Sequence, residues 1–223
     1  VLIQLMIDLA GIVILAGGES TRMGSPKALL TLPNGETLLE WHIDHAKSLS
    51  TQLRHETNLK VPVMIADNGK NFYHPSYLEK GKVIVIADEL PSDDNGKGAG
   101  ALSAIVMAMQ EVIYPNDYLM VICCDSLINA TQLYDKLFNQ ITDKNEDVVY
   151  FKGEKDYPLL GLYRVDLLPK LKVYLDKGNR AVMKFLKDKK VKTVDLPNEW
   201  VNLANFNTLD EFNLALKQLN ELG

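Results

Sequence analysis

The segment Leu15-Ala-Gly-Gly-Glu-Ser-Thr-Arg-Met-Gly-Ser-Pro-Lys27 sets three glycines, an arginine and a lysine directly behind a short apolar run. Glycines let backbone N–H groups wrap a phosphate chain because no Cβ stands in the way. Arg22 and Lys27 add the positive charge that a polyphosphate requires. The spacing fits neither Gly-x-x-x-x-Gly-Lys-Ser/Thr nor Gly-x-Gly-x-x-Gly, so it is neither a Walker loop nor a dinucleotide fingerprint. A Gly-rich surface turn with two solvated cations is the plain alternative. No Ser-His-Asp or Cys-His arrangement is apparent, and His42 and His45, three apart in a helical pattern, lack a third ligand at useful spacing and read as structural.

These residues need a scaffold, and the chain alternates short β-branched runs with helical periodicity. Strands are expected at Gly11–Leu15, Val61–Ala66, Lys82–Ala87, Tyr118–Cys123, Asp147–Phe151, Leu160–Tyr163 and Val191–Leu196. Runs such as 83–86 are apolar on both faces, as in a parallel sheet covered by helices. One helical face is marked by Leu38, Leu39, His42, Ile43, Ala46 and Leu49, and a second by Leu102, Ile105, Val106, Met109 and Ile113. Leu133, Leu137 and Ile141 mark a third. Thr208-Leu-Asp-Glu211 reads as a capping box opening the last helix, with Phe212, Ala215, Leu216 and Leu219 turned inward. The pattern predicts a single α/β domain over 1–223, a mostly parallel, Rossmann-like open sheet flanked by helices. The loops 67–81 and 88–98 lie beyond strand ends, where ligands bind in such sheets. Pro33-Asn-Gly35 reads as a tight turn.

Composition bounds the partners. The 223 residues carry 24 Lys+Arg against 29 Asp+Glu, a formal charge of -5, with 47% hydrophobic residues. An acidic chain is a poor non-specific nucleic-acid binder. The apolar start, 1–16, lacks the basic region of a signal peptide and is too short for a membrane span of about 20 residues. Cys123 and Cys124 are adjacent, which suits neither a disulfide nor a zinc site and fits two core residues in a reducing cytoplasm.

Leu15-Ala-Gly-Gly-x-Ser-x-Arg-Met-Gly-x-x-Lys27 resembles the nucleotide-binding signature of the small nucleotidyltransferases that modify molybdenum cofactor. The resemblance continues in order through Asp88-Glu-Leu-Pro91, Gly96-Lys-Gly-Ala-Gly100, Cys124-Asp125-Ser126, Tyr157-Pro158 (where the family has His-Pro), Gly178-Asn-Arg-Ala-Val-Met183 and Asn205-Phe-Asn207-Thr208. It implies the fold of nucleotide-diphospho-sugar transferases and an enzyme joining the terminal phosphate of molybdopterin to the α-phosphorus of GTP, with pyrophosphate released. Gly17-Gly18 matches the guanylyl members, whereas cytidylyl members tend to Leu-Ala-Ala-Gly, and a missing Cβ at Gly17 leaves room for a purine.

The resemblance also implies roles. Leu15, Ala16, Gly17 and Gly18 contact the nucleotide, Lys27 meets its phosphates, and Arg22 neutralises the departing pyrophosphate. Asp88 binds the nucleoside, and Asp125 holds Mg²⁺ and with it the nucleotide. Gly96 and Gly100 cradle ligand by backbone contacts, Asn205 and Asn207 form the pterin side, and Arg180 reaches the pterin phosphate. Two departures stand out: Asn68 replaces, with a register shift, an asparagine expected at the end of the second strand, and Lys97-Gly98 replaces Pro-Leu. Each role has a plainer alternative: Asp88 opening a turn, Asp125 capping a helix, Asn205 and Asn207 stabilising a loop, Arg180 solvated. A CTP-dependent or sugar/alditol-phosphate enzyme and a non-catalytic nucleotide-binding regulator are the competing functions. Molybdenum insertion proteins and molybdoenzyme chaperones are further implied partners.

Overall fold

A computed structural model describes residues 8–18, 23–58, 60–78, 83–87, 100–112, 117–141 and 145–222. All seven expected strands are present: β1 (Leu9–Leu15), β2 (Val63–Ala66), β3 (Ile84–Val85), β4 (Tyr118–Cys123), β5 (Val148–Lys152), β6 (Asp156–Arg164) and β7 (Val191–Asp195). They form one sheet in the order β3-β2-β1-β4-β6-β5-β7. Only β6 runs antiparallel to its neighbours, β4 and β5.

Local chemistry explains most of the boundaries. Val61 is buried but β2 starts only after Pro62, whose carbonyl accepts from Ile12 N at 2.9 Å and whose ring nitrogen has no hydrogen to give. β3 lies at the sheet edge, so Ile84 and Val85 are only half-buried despite the apolar run. The β5–β6 pairing slips between Tyr150 and Phe151, and Pro158 sits in that irregularity, where a missing N–H costs no ladder bond. The Tyr163 hydroxyl donates to Pro158 O at 2.7 Å and pins the bend.

Among the described residues six α-helices cover the two faces: α1 (Leu38–Thr57), α2 (Ala101–Gln110), α3 (Ala130–Leu137), α4 (Leu168–Asp176), α5 (Val182–Leu186) and α6 (Leu209–Leu222). Along β1 the side chains alternate from Ile12 to Ile14, and the irregularity near Gly11 resets the alternation for Ala10. Ile12 and Ile14 join one core with Leu38, Leu39, Leu133 and Phe212, whereas Ala10 and Val13 join another with Leu102, Ile105 and Leu171. Ile113, expected on the face of α2, lies outside the described residues. α1 opens with a full capping box, Glu40 N on Thr37 Oγ1 at 3.2 Å and Thr37 N on Glu40 Oε2 at 2.9 Å. The box expected at α6 forms in part. Glu211 N donates to Thr208 Oγ1, but the Glu211 carboxylate accepts from Asn207 N, one residue early.

α4 was not anticipated from the sequence, although Leu168, Leu171 and Leu175 carry its spacing. Gly178 closes this helix, and α5 begins within the same segment at Val182. The glycine's φ is +78° and its N–H donates to Leu175 O at 2.8 Å. Among the described residues no helix is long and apolar enough to cross a membrane.

Candidate active site

Parallel pairing brings the carboxyl ends of β1, β2 and β4 together. Ala16 N donates to Ala66 O at 2.8 Å and Cys124 N to Leu15 O at 3.0 Å, so the three exits are tied side by side. Beyond β2, the buried carboxylate of Asp67 accepts from Gly69 N at 3.0 Å and Phe72 N at 3.1 Å. That turn holds Asn68 at φ +57°, with its Nδ2 donating to Gly17 O at 3.3 Å. A Cβ at Gly17 would lie 2.6–2.8 Å from the Asn68 amide. The space at Gly17 is therefore filled by Asn68, which corrects the expectation that it opens directly onto a purine. A Cβ at Gly18 would meet nothing within 4 Å, so this exposed glycine leaves its backbone open to approach.

Lys27 begins a short 3-10 turn after Pro26 and points across the sheet ends. Its Nζ donates to Asp125 Oδ2 at 3.4 Å and to Asn207 Oδ1 at 3.0 Å. Asn207 Nδ2 donates to Asn205 Oδ1 at 2.9 Å, and Asn205 Nδ2 donates to Asp125 Oδ2 at 2.8 Å. The four side chains close a ring. Its polarity settles both amides, because flipping either would set donor against donor or carbonyl against carboxylate. Backbone bonds hold the ring's two halves in place: Phe206 N donates to Asp125 O at 2.9 Å and Leu127 N to Leu203 O at 2.8 Å.

Asp125 does not cap α3; Asn129 does, in a capping box with Gln132. Asp125 Oδ1 is buried and has no hydrogen-bond partner among the described residues. A carboxylate oxygen left in that condition is costly unless something positive meets it. No group of three or more His, Cys, Asp or Glu side chains is clustered among the described residues. A metal here would thus take Asp125 together with substrate oxygens and water, a donor set that suits Mg²⁺. Burial and the neighbouring Asp125 charge push the Cys123 thiol up, and burial does the same to Cys124, so neither offers a thiolate.

His42 ties α1 to the backbone of Ser126, the residue after Asp125. Fully buried in α1, it contacts Ser126 O through Nε2 at 2.9 Å, so Nε2 carries the proton. Burial lowers its pKa to about 4.

Other expected residues lie elsewhere. Arg180 is not brought to the ring: its Nη1 donates to Leu175 O at 2.8 Å and Asn179 O at 2.7 Å, at the carboxyl end of α4. Gly100 is exposed at the start of α2 with φ +85°, and its carbonyl accepts from Ser103 N at 3.1 Å. Arg22, Asp88, Gly96 and Lys97 fall outside the described residues. Conversely, Lys155, which no sequence motif marks, donates to Asn205 Oδ1 at 2.7 Å. A lysine in the polar turn 153–156 carries no sequence signal that separates it from a solvated one.

The family model of the MobA-like NTP transferase domain matches residues 12–192. The chain belongs to that family. It is 28% identical over 200 residues to the molybdenum cofactor guanylyltransferase of Haemophilus influenzae, covering 89% of this chain and 93% of that one. The Histophilus somni protein of the same name is likewise 28% identical over 200 residues, covering 89% of this chain and 92% of its own. In fold, the chain is similar to molybdopterin-guanine dinucleotide biosynthesis protein A of Archaeoglobus fulgidus. That structure aligns with a TM-score of 0.67 at 17% identity, over 95% of this chain and 99% of that one. As a MobA-like NTP transferase the chain is a nucleotidyltransferase, and the ring around Asp125 stands at the strand ends where such a sheet binds its ligand.

Proposed function

We propose that this MobA-like enzyme transfers GMP from GTP to the terminal phosphate of molybdopterin, forming molybdopterin guanine dinucleotide and pyrophosphate with Mg²⁺. The ring of Lys27, Asp125, Asn205 and Asn207 is the observation that carries this reading, together with guanylyltransferase relatives that align along most of their length.

An acceptor phosphate oxygen forms the new bond to the α-phosphorus of GTP, and the bond from that phosphorus to the β-phosphate bridging oxygen breaks. The nucleophile is already anionic, so no protein base is needed, in keeping with the neutral thiols at Cys123 and Cys124. What the protein supplies is position and charge. Leu15 to Gly18 line the nucleotide side, with Asn68 seated against Gly17. Lys27 brings an ammonium to the phosphates; by family resemblance Arg22 neutralises the departing pyrophosphate and Asp88 binds the nucleoside. Asn205 and Asn207 orient Lys27 and Asp125 and face the acceptor, with Gly100 at the start of α2 and, by family resemblance, Gly96 contributing backbone contacts. Mg²⁺, held by Asp125, would neutralise phosphate charge and polarise the reacting phosphoryl group.

The test is pyrophosphate release from GTP in the presence of molybdopterin and Mg²⁺. Asp125→Ala should lower kcat by about 10²-fold or more, the scale expected when a transition-state charge contact is lost. Near-normal turnover in that variant removes Asp125 from the site.

A further inference from the structure

Guanylyl transfer needs a cation for the acceptor's phosphate, and Arg180, expected to supply it, is engaged on carbonyls of α4 and its exit. The sheet order separates two sides. β1 and β2, which carry the glycine loop and Asn68, lie on one flank of β4, and β6 and β5 lie on the other. Because β6 is antiparallel to β4, the turn between β5 and β6 sits at the same sheet end as Asp125. Lys155 occupies that turn.

We propose that Lys155 binds the phosphomonoester of the acceptor, an assignment that rests on the guanylyl-transfer reading. Three contacts hold it there. Gly153 N donates to Lys155 O at 3.0 Å and closes the turn; the Lys155 ammonium lies 5.3 Å from the centre of the Tyr157 ring; and Nζ donates to Asn205 Oδ1 at 2.7 Å. An ammonium has three N–H donors. Its other donors have no partner among the described residues, and the side chain is exposed at the rim of the site. Lys155 and Lys27 thus each donate to one member of the asparagine pair, Lys155 to Asn205 and Lys27 to Asn207. A phosphate dianion approaching from the β6 side meets Lys155 with the Asn205 and Asn207 amides behind it.

The experiment measures molybdopterin affinity by calorimetry and the KM for each substrate in wild type, Lys155→Met and Lys155→Arg. Loss of one charge-assisted hydrogen bond predicts a rise of about tenfold in the Kd and KM for molybdopterin. The KM for MgGTP stays unchanged and Lys155→Arg recovers most of the loss. Unchanged molybdopterin affinity in an active Lys155→Met enzyme overturns the assignment and leaves guanylyl transfer standing. A parallel rise in the KM for MgGTP also overturns it, because Lys155 would then act only by orienting Asn205 and, through it, Asp125. If wild type makes no guanylyl product, the functional reading falls and takes this assignment with it.

Discussion

Among single residues, Gly17 shows how one missing methyl group is used. Its Cβ position is contested by Asn68, whose amide bonds the Gly17 carbonyl. In Gly17→Ala the short Asn68 side chain must swing away and give up that bond. The expected stability cost is about 1 kcal/mol, the worth of one hydrogen bond, read as a shift in urea midpoint. The KM for GTP should rise, and Gly17→Ala combined with Asn68→Ala should cost less stability than the two changes summed. Additive losses would show that the two residues do not compete for space. The glycine motif singles out Gly17, yet nothing in its spacing reveals the side chain that fills the room beside it. Asn68 reaches Gly17 only because Asp67 bends the chain after β2, a contact between residues 51 apart along the chain.

Between elements, α1 and the loop after β4 are joined by one buried histidine. His42 is neutral in the fold, with a pKa of about 4 against an ordinary 6.5. Between those values the unfolded chain binds a proton that the folded chain refuses, so stability falls as pH drops through this window. Above about pH 6.5 the full contribution is present; by about pH 4 roughly 3 kcal/mol has been withdrawn. Urea midpoints of wild type should therefore fall more steeply from pH 6.5 to 4 than those of His42→Gln. Parallel curves would rule out a buried neutral imidazole. The apolar face Leu38, Leu39, His42, Ile43 made the helix legible, but periodicity alone could not say that His42 spends its N–H on Ser126, next to Asp125. α4 escaped notice for a related reason: its buried face is narrow, Leu171 and Leu175, while Val173 between them is exposed.

Across the sheet, the strand positions were legible because the apolar runs are short and most are β-branched, and the central strands β1, β2 and β4 are buried along almost their whole length. The antiparallel placement of β6 was less so, since Leu160–Tyr163 reads alike in either direction. That placement matters to the site, as it carries the 153–155 turn to the strand ends beside Asp125. Net charge of -5 likewise proved a statement about surface, not site. Lys27 donates to Asp125 and Lys155 to Asn205, the asparagine that itself donates to Asp125, so two cations stand on one polar network. The sharpest test of guanylyl transfer at this centre offers GTP and CTP at equal concentration with molybdopterin and Mg²⁺, then identifies the dinucleotide formed. Molybdopterin guanine dinucleotide as the dominant product, lost in Asp125→Ala, is the result expected; predominant cytosine dinucleotide would overturn the assignment.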